Sequence, residues 1–240
     1  MSYEHIDPSL DPRPNEFGQP VGKPVPDWAG CQRLPDIELI GRTCRVVPYR
    51  PDHAAPLFEA YAADDGRMWT YMPFGPFNDA GALHASIMDY QEHKGFHTLA
   101  ILADGRAIGH LSYLRYDLAN GSVEIGGVCF SPVLQRSTAA TEAQYLMMKH
   151  AFDRGYRRYE WKCDQLNTPS NRAALRLGFQ FEGTFRNAVV RNGHRRDTCW
   201  YAIIVEDWPA IRQRLEAWLN AGNFAADGVQ RQALSTTPTA

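Results

Sequence analysis

The stretch S-V-E-I-G-G-V-C-F-S-P-V-L-Q-R-S-T-A-A-T-E-A, Ser122 to Ala143, decides how this chain folds. Its first nine residues read as an extended apolar run, and Ser131-Pro132 ends that run because proline cannot donate to a sheet ladder. Beyond Ala143 the pattern Gln144-Tyr-Leu-Met-Met-Lys-His-Ala-Phe is helical, and Gly155 stops it. Tyr156 to Cys163 then alternates as a second strand. Strand, helix and strand in that order form one crossover, and its two strands lie parallel. Gly126-Gly127 in the middle of the first strand is expensive unless the strand bulges or another group approaches its backbone closely. A bulge would push this strand away from Tyr156 to Cys163 and open a seam of unpaired N–H and C=O groups.

Outward from this crossover the chain is mostly antiparallel. Ile37 to Tyr49 holds two extended pieces that pair across Gly41-Arg42 or continue as one bent strand. A helix opens at Arg50-Pro51-Asp52-His53 and runs through Tyr61, and Asp79 starts an amphipathic one with Leu83, Ile87 and Tyr90 at helical spacing. Phe96 to Leu102 and Ala107 to Tyr116 form a hairpin about Asp104-Gly105. Asn167 caps a helix ending at Gly178, a last hairpin turns at Asn192-Gly193, and Asp207-Trp-Pro-Ala opens a final helix to Leu219. The pattern predicts an α/β (α+β) domain with a mixed, mostly antiparallel central sheet splayed at its middle and flanked by helices. A proline-rich arm (1–36) precedes the domain (37–219), and a flexible tail (220–240) follows it.

A net charge of −2 over 240 residues gives no general field for nucleic acid or an anionic membrane. No run approaches the ~20 apolar residues that span a bilayer. The first residues carry no secretion-signal pattern, and the single, unpaired cysteines predict reduced thiols in a cytoplasmic protein. No two histidines share metal-ligand spacing, so no metal is expected, and no G-x-S-x-G elbow suggests a hydrolase.

Ser131 to Ala143 is a strand-to-helix elbow built of small residues, with Ser137 or Thr141 as candidate cap. The first N–H groups of the following helix lack partners, and its dipole makes the spot electropositive. A pyrophosphate fits such a place, although an ordinary cap explains the same residues. The open seam favours the ligand. An extended, amide-bearing arm along the seam, ending in a pyrophosphate on the elbow, has the shape of coenzyme A.

Here the chain resembles the GNAT superfamily of acyl-CoA-dependent N-acetyltransferases, over about residues 37 to 206, and most closely its ribosomal-protein N-terminal acetyltransferase branch. V-E-I-G-G-V-C-F, the elbow with A-T-E-A, N-T-P-S-N-R-A-A-L-R-L-G-F, F-E-G-T-F-R and the loop W-T-Y-M-P-F-G-P-F carry the resemblance. It implies acetyl-CoA as acyl donor, held by Val128, Phe130, Gln135, Arg136, Ser137, Thr138, Ala139, Ala140, Thr141 and Asn167. The family elbow reads Gln/Arg-x-x-Gly-x-Gly/Ala, and Thr138 replaces its first glycine. A position needing positive φ would strain that threonine.

Glu124 stands where related enzymes place a general base, and partial burial near the seam would raise its pKa. A glutamate paired to a nearby arginine is the equal alternative. Many members protonate the leaving thiolate with a tyrosine, and the matching position here is Leu175, so the resemblance to the ribosomal branch makes Ser170 the substitute. The Val128 N–H would meet the oxyanion. Trp69, Tyr71 and Phe74 on the aromatic loop are the candidate wall of an amine pocket, or else that loop's own core. Arg191-Asn-Gly-His-Arg-Arg-Asp197 reads as a solvated hairpin tip that could also lean over the same mouth.

The expected activity is transfer of acetyl to a primary amine, on a small molecule in preference to a protein N-terminus. A non-catalytic acyl-CoA-binding module is the rival, and a homodimer is compatible with the chain.

Overall fold

A computed structural model describes residues 11–234. Residues up to Gly30 form one unit and Cys31 onward a second. In the first, β1 (Arg13–Pro14) pairs antiparallel with β2 (Pro20–Val21). The Asn15 side chain holds the intervening turn by accepting from the N–H groups of Phe17 and Gln19, each at 2.9 Å.

The second unit is built on eight strands. They are β3 (Leu39–Ile40), β4 (Arg45–Pro48), β5 (His97–Ala103), β6 (Arg106–Asp117), β7 (Ser122–Phe130), β8 (Arg158–Asp164), β9 (Gln180–Arg191) and β10 (His194–Ile204). They line up as β3-β4-β5-β6-β7-β8-β10-β9, and within this sheet only β7 and β8 run parallel. Between them passes α3 (Thr138–Asp153), the crossover expected from sequence. α3, α4 (Thr168–Leu177) and α5 (Trp208–Leu219) cover one face, over a core that includes Val123, Ile125, Tyr159, Trp161 and Cys199. On the other face α1 (Ala54–Tyr61) packs on β6 and α2 (Ala80–Lys94) on β5, over a smaller core with Leu57, Trp69, Leu83 and Cys129.

The expected bulge is present. Ser112 on β6 stands opposite Gly126 and His110 opposite Cys129, so Gly127 and Val128 together face Leu111 alone. Gly127 takes φ +55, and a Cβ there would lie 3.0 Å from Phe96, so the turn of the backbone needs glycine. The extra residue reverses the alternation of β7. Val123 and Ile125 point to the α3 side, and Val128, not Gly127, returns to it. Pairing with β8 ends at Ile125 opposite Trp161, although β7 runs on to Phe130 and β8 to Asp164.

Two ends are tied in more firmly than sequence suggests. Leu34 is core, and the Tyr156 hydroxyl donates to the Gln32 carbonyl at 3.0 Å, so the main unit begins at Cys31 and not at 37. The expected tail folds back as far as Leu234, which is buried, and Trp218 Nε1 donates to Gln230 at 2.9 Å. The rest of that tail, like the first ten residues of the arm, lies outside the described residues.

The β3–β4 turn is fastened to α3 by one buried carboxylate. Glu142 accepts from the N–H groups of Arg42 at 2.8 Å, Thr43 at 2.6 Å and Cys44 at 3.1 Å, and from the Thr43 hydroxyl at 2.6 Å. Gly41 leaves room for it, since a Cβ there would sit 2.5 Å from the carboxyl carbon. Glu142→Ala strands these donors and should lower unfolding free energy in urea by about 3 kcal/mol, with Glu142→Gln intermediate.

Candidate active site

The bulge, the open seam and the elbow lie in sequence along one path. At the elbow, Leu134 and Gln135 donate back to the Ser131 carbonyl, each at 2.9 Å, and the Gln135 amide donates to the Phe130 carbonyl at 2.9 Å. Gln135 therefore holds the elbow's shape. Ser137 is the cap: its hydroxyl accepts from the Ala140 N–H at 3.0 Å and donates to the Leu134 carbonyl at 2.7 Å. Thr141 does not cap; its hydroxyl accepts from Arg176 at 3.0 Å. Thr138 opens the helix in ordinary helical conformation, and Arg136 carries the left-handed backbone at φ +59. The threonine in place of the family glycine is therefore unstrained, and the left-handed residue of the elbow is Arg136. Ala139 and Ala140 keep the first turn of α3 low in profile.

Glu124 is 6% exposed and stands opposite Glu160 on β8. Alternation along β8 and β10 puts Glu160, Lys162, Trp200 and Thr198 on its side of the sheet. Lys162 Nζ lies 2.7 Å from Glu124 and 2.9 Å from Glu160, and 3.6 Å from the centre of the Trp200 ring. Arg115 approaches Glu124 at 3.3 Å. Burial raises the Glu124 pKa, and the Lys162 and Arg115 charges oppose that rise without cancelling it. The glutamate is paired, as its structural alternative required, though chiefly to a lysine. It also has the raised pKa that the catalytic reading required.

Asn167 caps α4 by accepting from the Ser170 N–H at 3.2 Å. Ser170 Oγ accepts from Trp161 Nε1 at 3.0 Å, and its hydroxyl also interacts with the Cys163 thiol. Leu175 is 45% exposed and offers no replacement for a tyrosine.

The three aromatic candidates separate. Trp69 is core, 7% exposed and edge-on to Tyr61 and Phe77, so it backs the loop and does not face a ligand. Phe74 does line a small, narrow pocket, with Phe77, Tyr90, Phe96 and Gly127 of the bulge. His110, also in this wall, lies 2.7 Å from the Tyr61 hydroxyl, and burial lowers its pKa to about 4. Tyr71 reaches elsewhere: its hydroxyl donates to the Leu166 carbonyl at 3.1 Å, and Arg191 donates to the Tyr71 carbonyl at 3.4 Å. The loop is thereby tied to the β8–α4 connection and to β9. Sequence reasoning missed Lys162 and His110. Lys162 follows Glu160 at strand spacing, but its partner Glu124 is visible only once the β7–β8 register is known.

Residues 44–180 match the family model described as acetyltransferase (GNAT) domain. A GCN5-related N-acetyltransferase from Brucella melitensis is 35% identical, with a TM-score of 0.84 over 88% of this chain and 97% of that one. An uncharacterized N-acetyltransferase of Bacillus subtilis, YnaD, is 26% identical over 145 residues, 60% of this chain and 84% of its own. RimJ of Mycobacterium smegmatis, solved in complex with CoA-disulfide, shares the fold at 23% identity and a TM-score of 0.63, over 72% of this chain and 88% of that one. No helix among the described residues is long and apolar enough to cross a membrane, and no group of three or more candidate metal ligands occurs among them.

Glu124 carries its own pH signature. With its folded pKa raised above the unfolded value, its contribution to stability is full below the unfolded pKa and is lost as pH rises through the folded one. Lys162→Met removes the main opposing charge. With Glu124 in place, the unfolding free energy of Lys162→Met should then fall more steeply above pH ~4.5 than that of the parent protein, and the difference should vanish when both also carry Glu124→Gln.

Proposed function

Because this chain belongs to the GNAT acetyltransferase family, we propose that it moves an acetyl group from acetyl-CoA to the primary amine of a small molecule, by direct attack at the open end of the β7–β8 seam. The parting of β7 from β8 beside a glycine bulge, with a helix start at its far end, carries this reading. The residues present fit the donor: small side chains front α3, and Gly126, Gly127 and Val128 are partly exposed on what is otherwise a central strand. Acetyl-CoA supplies an activated acyl thioester. Val128, Phe130 and the first turn of α3, with Arg136 and Asn167, are the groups to hold it.

Glu124 takes the proton from the attacking amine, directly or through a water. Its burial makes it a better acceptor than an exposed glutamate, while the Lys162 ammonium beside it favours the charged form. The Val128 N–H faces the charge that develops on the acyl oxygen. Ser170, with Trp161 donating to it, is placed to give a proton to the departing sulfur. The Tyr71 bridge to Leu166 narrows the mouth and favours a small acceptor over a peptide.

Thiol release from acetyl-CoA in a screen of amines tests the transferase reading; binding without release with any amine would leave only an acyl-CoA-binding module. Glu124→Gln should lower kcat by about 10²-fold or more and flatten its acid limb. An unchanged profile removes Glu124 as the base. Ser170→Ala should slow turnover by roughly tenfold with the dissociation constant of acetyl-CoA unchanged, and full activity would remove Ser170 as the acid.

A further inference from the structure

The β9–β10 hairpin is not solvated along its whole length. Arg195 is exposed and held by Asp197 at 2.7 Å, as a tip residue would be. Arg196, one residue on, is different. Its side chain is 15% exposed, its Nε is buried without a hydrogen-bond partner, and its nearest carboxylate oxygen, on Asp164, is 3.8 Å away. Arg191 is also half-buried, and the Arg196 charge acts on it. Two guanidiniums thus share one carboxylate, and Asp164 also accepts from the Leu166 N–H at 2.8 Å.

Thr198 and Trp200 alternate onto the Glu124 side of the sheet, and Arg196 joins that row through its approach to Asp164, the partner of Thr198 on β8. Thr198 Oγ1 and Trp200 Nε1 are buried and unpartnered as well. Three polar groups in a row, each able to donate, lie on the same face of the sheet one strand beyond the place where β7 and β8 have parted. Buried donors in folded proteins normally have partners.

The register fixes how far this row is from the chemistry. Ile125 pairs with Trp161, and the bulge adds one residue to β7, so Val128 stands near the level of Cys163 and Asp164. Thr198 pairs with Asp164, and Arg196 lies two residues beyond, about 7 Å further along the strand. The Tyr71 bridge closes this corner from above, through the same Leu166.

We propose that the Arg196 row is the acceptor's anion subsite, and that the acceptor is a small primary amine carrying a carboxylate a few bonds from its nitrogen. This rests on the transferase reading. The amine lies at the seam and the carboxylate meets Arg196, with the Trp200 N–H and the Thr198 hydroxyl behind it. Arg191 adds the second positive charge. A guanidinium in a half-buried place offers a carboxylate paired donors that a neutral group cannot use as well.

The test is equilibrium binding, which needs no turnover. Protein saturated with unacylated CoA is titrated with the twenty amino acids, their amides and their decarboxylated amines. The best amino acid should bind about tenfold or more tightly than its amide. Arg196→Gln should abolish that difference and Arg196→Lys restore part of it, with CoA affinity unchanged in both. An amide that binds as well as its acid, a preference that survives Arg196→Gln, or no binding across the panel would each overturn the proposal. Carboxylate-dependent binding with no thiol release from acetyl-CoA would keep the subsite and reject the transferase reading instead.

Discussion

The structure depends on one irregularity, the extra residue that β7 holds against β6 at Gly127 and Val128. A regular strand there would pair with β8 to its end and leave no backbone free. The bulge turns the strand, flips the facing of every later side chain and stops the pairing at Ile125. It also places Gly127 in the wall of the aromatic pocket, so the same glycine serves the seam and the cavity beside it. The rest of the domain holds this local departure in place. Leu111 and Tyr113 on β6 are fully buried, α1 packs on that strand, and α2 packs on β5 beyond it.

The charges around the seam show a second constraint. Glu124, Glu160, Lys162 and Arg158 form a chain of ion pairs that is largely out of water. Such a chain adds little net stability because desolvation offsets most of the attraction. What it does is fix positions: Lys162 is pinned by two carboxylates and the Trp200 ring, and Glu124 is held by Lys162 beside the last paired residues of β7 and β8.

Most of the architecture was legible because it rests on short-range chemistry. Asp104-Gly105 and Asn192-Gly193 take the positive φ values of two-residue hairpin turns, Asn167 and Asp79 cap the helices they precede, and Gly155 and Gly178 end theirs in the left-handed region. The Gly126-Gly127 pair announced the bulge because glycine is tolerated in a central strand only for such a reason. The site was less legible, since its members meet through registers that no local rule supplies. Trp69 and Phe74, five residues apart on one loop, read alike in sequence, yet one is core and the other lines a cavity. Arg195 and Arg196 are adjacent and identical in type, and only strand facing separates a surface ion pair from a half-buried charge. The terminal segments misled because low apolar periodicity hid single anchors such as Leu34 and Leu234.

The cysteines bear on the handling of an activated acyl group. Cys129 directly follows Val128, and Cys163 stands on β8 where pairing with β7 has already ceased. Burial pushes the Cys129 thiol far up and the Cys163 thiol to about 11. Only the anionic sulfur attacks a thioester at a useful rate. Under the proposed reading these sulfur atoms lie close to the donor's path in the protonated form, which a thioester acylates slowly.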